Sequence, residues 1–370
     1  MRISIVDYAG HPFQVQLSRK LAARNHDVLH LYFGQAVTPR GKLATTPDDP
    51  HSIDIEAVRI KGEYSKYSYI RRWWQEQLLA KAFVRRIERF QPEVVIVANA
   101  PLDNARAIQQ KCLRSGVPFI LWQQDVYSVA MATILKKRLG LLGAAVARYY
   151  HHVEAKILSR SDAVVVISPA FKSLATAEFG ISPDRIAVIR NWAPIEEIRP
   201  AKQDNPWSRA QGVANRKVVM YCGTLGSKHD PAVILRIGEH LTKRRGDAIL
   251  LVVSEGPNVE ALAQDAEARG ITAIKCMPFQ TYEDFPNVLA SSTVLIGILE
   301  EDAGVFSVPS KILSYLCAGR PIVLCAPADN LASRTLLEAQ AGPVYGTSRP
   351  EDMLKGLDEI LTDGAAAARL

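Results

Sequence analysis

Two lysines stand at the starts of helical patterns, where each could meet an anion. In YCGTLGSKHDP (221–231) an apolar run ends in a glycine-rich turn, and Lys228 precedes a helix. Gly223 and Gly226 permit close backbone approach, and Lys228 can reach phosphate oxygens at the helix start. The terminal GK[ST] of a P-loop is missing, which disfavours ATP hydrolysis. In SVPSKILSYLCAGRPIVLCA (307–326), Lys311 falls in the first turn of a helix, where the dipole is positive and a cation is disfavoured. Such a lysine either points into water or faces a bound anion.

Other polar residues sit at similar turns. DYAGHPF (7–13) joins a strand to a helix, and Ala9 and Gly10 allow backbone N–H groups to approach a phosphate or sugar. It is equally a plain strand–helix turn. It is not GxGxxG, so a dinucleotide fingerprint is absent, and His11 is as readily incidental as a substrate contact. In LWQQDVY (121–127), Gln124 and Asp125 follow a strand. Asp125 can accept a hydroxyl's hydrogen bond or proton, or it can cap a helix. The SEGP turn (254–257) offers Glu255 and Gly256, with Glu255 either binding hydroxyls or facing solvent. Glu300, Glu301 and Asp302 make a solvated turn or a set of acceptors for sugar hydroxyls.

One segment has a different character. Residues 61–90 carry eight Lys/Arg against three Glu, interleaved with tyrosines and with Trp73 and Trp74. A basic helix with tryptophan at one end suits a membrane headgroup region, through Arg71, Arg72, Trp73 and Trp74. Aromatic–basic interleaving also suits single-stranded nucleic acid, and an amphipathic helix packed on a sheet accounts for the pattern as well. Charge is uneven along the chain. Residues 1–196 hold 27 Lys/Arg against 17 Asp/Glu, whereas the remainder is slightly acidic. The first half should be drawn to something anionic.

These turns need elements to hold them. The 370 residues are long enough for two domains, and the composition, 48% hydrophobic and 22% charged, is that of a globular protein. No apolar run approaches bilayer-spanning length, and the N-terminus lacks the regions of a signal peptide, so cytoplasmic residence is the default. The five cysteines are scattered without metal-ligand spacing and read as free thiols, with no metal expected. Apolar runs at 3–6, 27–33, 93–99, 118–123 and 163–168 alternate with helical patterns, as parallel strands covered by helices do. After NWAPIEEIRPAKQDNPW (191–207) the alternation restarts with KVVMYCG, AILLVVSEG, TAIKCM, TVLIGIL and PIVLCA. This predicts two doubly wound α/β domains, 1–195 and 196–370, with ligands beyond the carboxyl ends of the strands and a cleft between the domains.

Together these segments resemble the retaining glycosyltransferases of sequence family 4, which have the GT-B fold of two Rossmann-like domains facing across a cleft. The resemblance rests on the glycine turn after the first strand, then E-x-K-I-L-S-R-S-D-A-V-V-V-I-S (154–168), I-A-V-I-R-N-W (186–192), YCGTLGSKHDP, SEGP and VPSKILSYLCAGRPIV. The PSK segment paired with N-W is similar to a subgroup building bacterial surface polysaccharides, nearest to transferases of N-acetylfucosamine and related aminosugars.

The resemblance implies a nucleotide-diphosphate sugar donor on the second domain, a lipid-linked saccharide acceptor on the first, no cofactor and no nucleic acid. It implies a cytoplasmic protein peripheral on the inner membrane face. Lys228 matches the lysine that neutralises the donor diphosphate. Gly304 to Lys311, including Ser307 and Ser310, correspond to the loop and helix start that contact donor sugar and phosphate. Gly223, Thr224, Glu255, Gly256, Glu300 and Glu301 join the donor side. Gly10, His11 and Gln124 fall on the acceptor side, and Asp125 falls near the reacting carbon.

Three departures accompany the match. Phe306 and Ser314 occupy the places of the family's E-x7-E, so Ser314 replaces the carboxylate that holds the ribose, and Glu300 or Glu301 is left to supply the first. Thr224 stands where many members have arginine. The chain ends at DGAAAARL, where members continue with a further helix, so the resemblance implies a shortened C-terminus. Two other readings remain: an epimerase of nucleotide sugars on the same fold, and a non-catalytic binder of nucleotide sugars or nucleic acid.

Overall fold

The computed structural model of the chain describes residues 1–36, 38, 40–65, 68–226, 229–301 and 311–363, apart from the side chains of residues 69, 130, 133, 134 and 136–139. The chain divides into two units, one of Met1–Asn191 and one from Trp192 onward.

The first unit runs β1 (Arg2–Asp7), α1 (Pro12–Ala22), β2 (Asp27–Phe33), β3 (Ile53–Val58), α2 (Tyr69–Phe90), β4 (Val94–Ala98), α3 (Leu102–Ser115), β5 (Phe119–Gln123), α4 (Tyr127–Arg160), β6 (Ala163–Val166), α5 (Pro169–Phe179) and β7 (Ile186–Val188). The strands are parallel in the order β3-β2-β1-β4-β5-β6-β7. Val6 is paired with both Leu31 and Val97 in the sheet centre. β1 is buried on both faces from Ile3 onward, which its apolar run required. The edge strands β3 and β7 were not among the apolar runs. β3 alternates polar and apolar residues and β7 has only three, because an edge strand is buried on fewer sides.

The second unit runs α6 (Pro206–Ala210), β8 (Lys217–Cys222), α7 (Pro231–Arg244), β9 (Ala248–Val253), α8 (Pro257–Ala268), β10 (Ile274–Met277), α9 (Phe285–Ala290), β11 (Val294–Ile298), α10 (Lys311–Cys317), β12 (Ile322–Cys325), α11 (Leu331–Glu338), β13 (Val344–Tyr345) and α12 (Pro350–Thr362). Its parallel order is β10-β9-β8-β11-β12-β13. β8 and β9 are buried almost throughout and divide the core into two layers, one under α7, α8 and α12 and the other under α9, α10 and α11.

Both sheets are doubly wound, and each has a point where strand order reverses. These points lie between β1 and β4 in the first unit and between β8 and β11 in the second. Beyond the carboxyl ends of such strands the two connections diverge and leave a crevice for ligands. The turn at Gly10 and the turn at Gly223 therefore fall at the two topological switch points.

α4 is not one rod. Gly140 adopts φ 54° and ψ −126° and breaks it. The carboxylate of Glu154 accepts from the backbone N–H of Ser128 at 2.8 Å and of Tyr127 at 3.2 Å. An unbroken helix would place residues 127 and 154 about 40 Å apart. The chain must therefore double back at Gly140, and the second half of α4 caps the first.

Candidate active site

At the second unit's switch point the apolar strand KVVMYC ends with Tyr221 and Cys222, and the turn that follows starts at Gly223. Lys311 opens α10. It points neither into open water nor along the helix axis. It is half-buried, with its ammonium end directed inward: Nζ donates to the Tyr221 hydroxyl at 2.6 Å and lies 4.0 Å from the centre of that ring. A ring face and a phenolic oxygen compensate the cation that the helix dipole disfavours. The compensation is incomplete, because burial pushes the lysine down from 10.5 to about 7.

The Tyr221 hydroxyl in turn donates to the carbonyl of Thr224 at 2.7 Å, so one chain of contacts runs from Lys311 into the glycine-rich turn. Gly223 has φ 135°, and a Cβ there would meet Lys311 Cε at 3.3 Å and Nζ at 3.5 Å. The glycine is required by its conformation, and a side chain there would also press on the end of Lys311. Tyr315, one turn further along α10, is fully buried. Its hydroxyl accepts from Cys222 N and donates to Cys222 O, each at 2.9 Å. It supplies the backbone partner that β8 lacks at this level, since β11 pairs only at Val219 and Met220.

The turn amides are largely engaged within the protein. Gly223 N donates to Val253 O, Leu225 N to Ser254 Oγ and Gly226 N to His229 Nδ1. A phosphate at this turn would therefore be held by lysine side chains more than by those amides. Glu255 is exposed and accepts from Phe279 N at 3.0 Å, which gives it a loop-fixing contact, and Gly256 beside it has φ 111°. Glu301 accepts from the Thr347 hydroxyl, while Glu300 is partly buried at the end of β11. Ser314 is partly buried on α10, next to Tyr315. Lys228, Asp302, Gly304, Ser307 and Ser310 lie outside the described residues.

The first unit's switch point is built around a residue that the motif reading passed over. Asp7 ends β1, is fully buried, and accepts from Ala9 N at 3.2 Å. Burial pushes its carboxyl up to about 7, against the lowering effect of the Gly10, His11 and Ala9 amides and the Asn99 side chain. The amides expected to approach a phosphate thus face an internal carboxylate. The turn is closed from above as well. Gly41 N donates to Gly10 O, the Thr38 hydroxyl donates to Ala9 O, and a Cβ on Gly10 would meet Leu43 at 2.8 Å. His11 is the residue preceding α1 and packs 5.7 Å from the Phe13 ring.

Gln124 and Asn191 form a reciprocal amide pair, Gln124 Nε2 to Asn191 Oδ1 at 3.1 Å and Asn191 Nδ2 to Gln124 Oε1 at 2.8 Å. The asparagine of the I-R-N-W segment thereby orients the glutamine of the Q-D pair. Asp125 sits between β5 and α4. The amides of Tyr127 and Ser128 at the start of α4 donate to Glu154.

The basic aromatic segment separates into two groups. Arg71, Trp73 and Trp74 are exposed, the tryptophans by 43% and 61%. Arg72 has a partner within the protein, with its side chain 42% exposed. Its Nε lies 3.6 Å from Glu76 Oε1, one helical turn away and buried. Glu76 also accepts from the hydroxyls of Tyr8 and Tyr64 at 2.8 and 2.6 Å and from Asn104 Nδ2 at 2.6 Å. A buried carboxylate needs this many donors, and Arg72 serves that network. The signal was present in the sequence: Glu76 is the one acidic residue amid the basic and aromatic residues at the start of α2.

Two doubly wound parallel units, each with polar groups gathered at its switch point, define the GT-B class of glycosyltransferase architecture. The chain belongs to Glycosyltransferase Family 4, whose family model matches residues 13–197. It is 24% identical over 243 residues to WcaI of Escherichia coli (strain K12), named as a colanic acid biosynthesis glycosyl transferase; the match covers 65% of this chain and 59% of that relative's length. Among solved structures, Anabaena HepE in complex with UDP-glucose superposes with a TM-score of 0.69 at 16% identity, covering 100% of this chain and 92% of HepE. WaaG, a glycosyltransferase involved in lipopolysaccharide biosynthesis, superposes with a TM-score of 0.67 at 14% identity, covering 99% and 92%.

Proposed function

We propose that the protein transfers a sugar, with retention at the anomeric carbon, from a nucleotide-diphosphate sugar to a hydroxyl of a lipid-linked saccharide in bacterial surface-polysaccharide synthesis, and that the donor is a UDP-linked aminosugar. The observation that carries this reading is Lys311, a cation at the carboxyl end of β8 whose charge the protein compensates only in part. A diphosphate placed there supplies the missing anion. The match to WcaI supports the polysaccharide setting, and the HepE complex supports a nucleotide-sugar donor.

In the reaction the bond from C1 of the sugar to the diphosphate oxygen breaks, and a bond from C1 to the acceptor oxygen forms on the same face. The acceptor proton passes to the departing phosphate oxygen. Negative charge grows on the leaving diphosphate, so fixed cations that contact it there lower the barrier. Lys311 and Lys228 have that role. Thr224, Gly223, Gly256, Glu255, Glu300, Glu301, Gly304, Ser307, Ser310 and Ser314 belong to the donor side, with no cofactor. Asp125 positions the acceptor hydroxyl, with Gln124 held by Asn191 beside it and the turn at Gly10 and His11 shaping the same edge. The basic first unit, through Arg71, Arg72, Trp73 and Trp74, meets an anionic membrane on the cytoplasmic face, where a lipid-linked acceptor resides.

The test is a thermal-shift screen across nucleotide sugars, followed by product analysis with and without a lipid-linked acceptor. Transfer only in the presence of acceptor, with the α or β configuration of the donor kept, supports the proposal. Conversion of the donor without acceptor would make the protein an epimerase. Lys228→Ala and Lys311→Ala should each lower turnover by about 10²–10³ with the fold intact. Near-normal turnover in both variants defeats the assignment.

A further inference from the structure

The segment E-x-K-I-L-S-R-S-D-A-V-V-V-I-S (154–168) has no part in the reaction described above. It crosses from the second half of α4 through β6 to the start of α5. Two of its acceptors serve the frame alone. Asp162 Oδ2 takes the backbone N–H of Phe119 at 2.8 Å, at the amino end of β5, and Ser168 caps α5. Glu154 works at the opposite end of β5 and is buried. Its Oε1 accepts from Gln123 Nε2 and from Tyr127 N, each at 3.2 Å, and its Oε2 accepts from Ser128 N at 2.8 Å. These three donors flank one turn. The sheet holds the chain as far as Gln123, which pairs with Val166, and α4 takes over at Tyr127. Gln124, Asp125 and Val126 lie between. Gln124 and Val126 are buried, whereas Asp125 is partly exposed. Val126, at the position before the helix, has no side-chain acceptor for the first amides, so a carboxylate from much later in the chain takes them.

We infer that Glu154 is a positioning residue for sugar transfer: by joining Gln123 to the start of α4 it fixes the backbone of the turn that carries Asp125. The inference rests on the role proposed above for Asp125 at the acceptor hydroxyl. One oxygen bridges strand and helix and the other holds the helix alone, so the carboxylate closes a ring of hydrogen bonds across a three-residue turn. Two further ties brace the same place. Gln124 is paired with Asn191, and the Tyr127 hydroxyl donates to Asn99 O at 3.2 Å. A carboxylate is costly to bury, and a hydrophobic core has no need of one. Burial holds this one above its ordinary range, against the donors from Ser128, Tyr127 and Gln123. Its geometry matters to the reaction because a displacement of about 1 Å in a group that positions substrate lowers turnover about 10²-fold.

The experiment is steady-state transfer by the full chain from UDP-N-acetylglucosamine to a polyprenyl-diphosphate-linked monosaccharide in detergent, with melting temperatures measured alongside. Glu154→Ala should lower kcat about 10²-fold while the KM for the donor stays within about twofold, because the reading above puts the donor on the second unit. Glu154→Gln keeps an oxygen for Ser128 N. The Gln123 amide, whose Oε1 has no partner among the described residues, can turn that oxygen to the new N–H. This variant should therefore recover about tenfold of the loss. Gln123→Leu removes the arm to the strand alone and should lower kcat about three- to tenfold, which tests the inference where Glu154→Ala does not fold. Asp162→Ala loosens the far end of β5. It should lower the melting temperature and leave kcat near the wild-type level. Wild-type kcat in Gln123→Leu and in folded Glu154→Ala overturns the inference and leaves Glu154 a helix cap only. A fall in Asp162→Ala equal to that in Glu154→Ala overturns it in favour of general softening of the unit. Absence of transfer by the wild type defeats the reaction itself, and the role of Glu154 with it.

Discussion

The ammonium of Lys311 donates to the Tyr221 hydroxyl at 2.6 Å, and burial holds that lysine down to about 7. Near neutral pH the lysine is therefore only partly charged, and a diphosphate binds its charged form. Affinity for UDP-N-acetylglucosamine should weaken as pH rises through about 7, because the nucleotide sugar's diphosphate does not titrate there. Lys311→Arg, which stays charged, should flatten that dependence whatever its absolute affinity. Calorimetry from pH 6 to 9 measures it, and a wild-type profile as flat as that of the arginine variant rejects the role.

The same lysine leaves a mark on stability. Its folded value lies below the unfolded 10.5, so the unfolded chain binds more protons between about pH 7 and 10.5, and Lys311 makes stability rise with pH across that window. Lys311→Met should remove this rise. Urea unfolding at several pH values in that range compares the two slopes.

Asp7 gives the opposite signature. Its folded value, about 7, is raised above the ordinary 3.8. Its contribution to stability is fully present below about pH 4 and is lost as pH rises through about 7. The full loss is on the order of 4 kcal/mol for a shift of this size. Asp7→Asn should abolish that slope and be the more stable protein near pH 8, provided the amide still accepts from Ala9. Equal slopes in wild type and variant contradict the assignment.

Glu76 gathers two phenols, an amide and Arg72 in one buried cluster. Glu76→Ala would leave those donors without their common acceptor and should cost about 3–5 kcal/mol. Tyr64→Phe removes one hydroxyl, which donates to Glu76 and lies 2.9 Å from the Tyr8 hydroxyl, and should cost about 1–2 kcal/mol. Denaturant midpoints measure both, and a ratio near one would show that Glu76 is not the hub.

Tyr315 binds both the N–H and the carbonyl of Cys222. Tyr315→Phe leaves two buried backbone groups without that partner and should destabilise by about 1–3 kcal/mol. It should also weaken donor binding more than Tyr64→Phe does, because it frees the strand end that carries Tyr221 and Gly223. Parallel melts and donor titrations of the two variants decide this.

Much of the architecture was legible in the residues because parallel strands buried on both faces must be continuous apolar runs. β1, β8 and β9 announce themselves in ISIV, KVVMYC and AILLVV. The edge strands β3 and β7 escaped for the same reason, since an edge needs no such run. Site residues followed a similar rule. A glycine turn after a strand and a lysine in a first helical turn are local features, so Gly223 and Lys311 could be picked out by position alone. Asp7, Tyr221 and Glu76 look unremarkable in sequence, because their significance lies in partners 2 to 92 positions away.

The sequence by itself determined the parallel α/β layers, the two-unit organisation and the position of the glycine turns at strand ends, since periodicity and glycine placement are local properties of the chain. Only the tertiary structure decided what those turns do with their polar groups. It placed Lys311 on a tyrosine ring instead of in water, gave the amides expected for a phosphate to Asp7, and set Arg72 beside the buried Glu76. It also doubled α4 back at Gly140, which brings together residues 26 apart in sequence. Burial and pairing of charge depend on which distant segments share a small volume, and no local pattern encodes that.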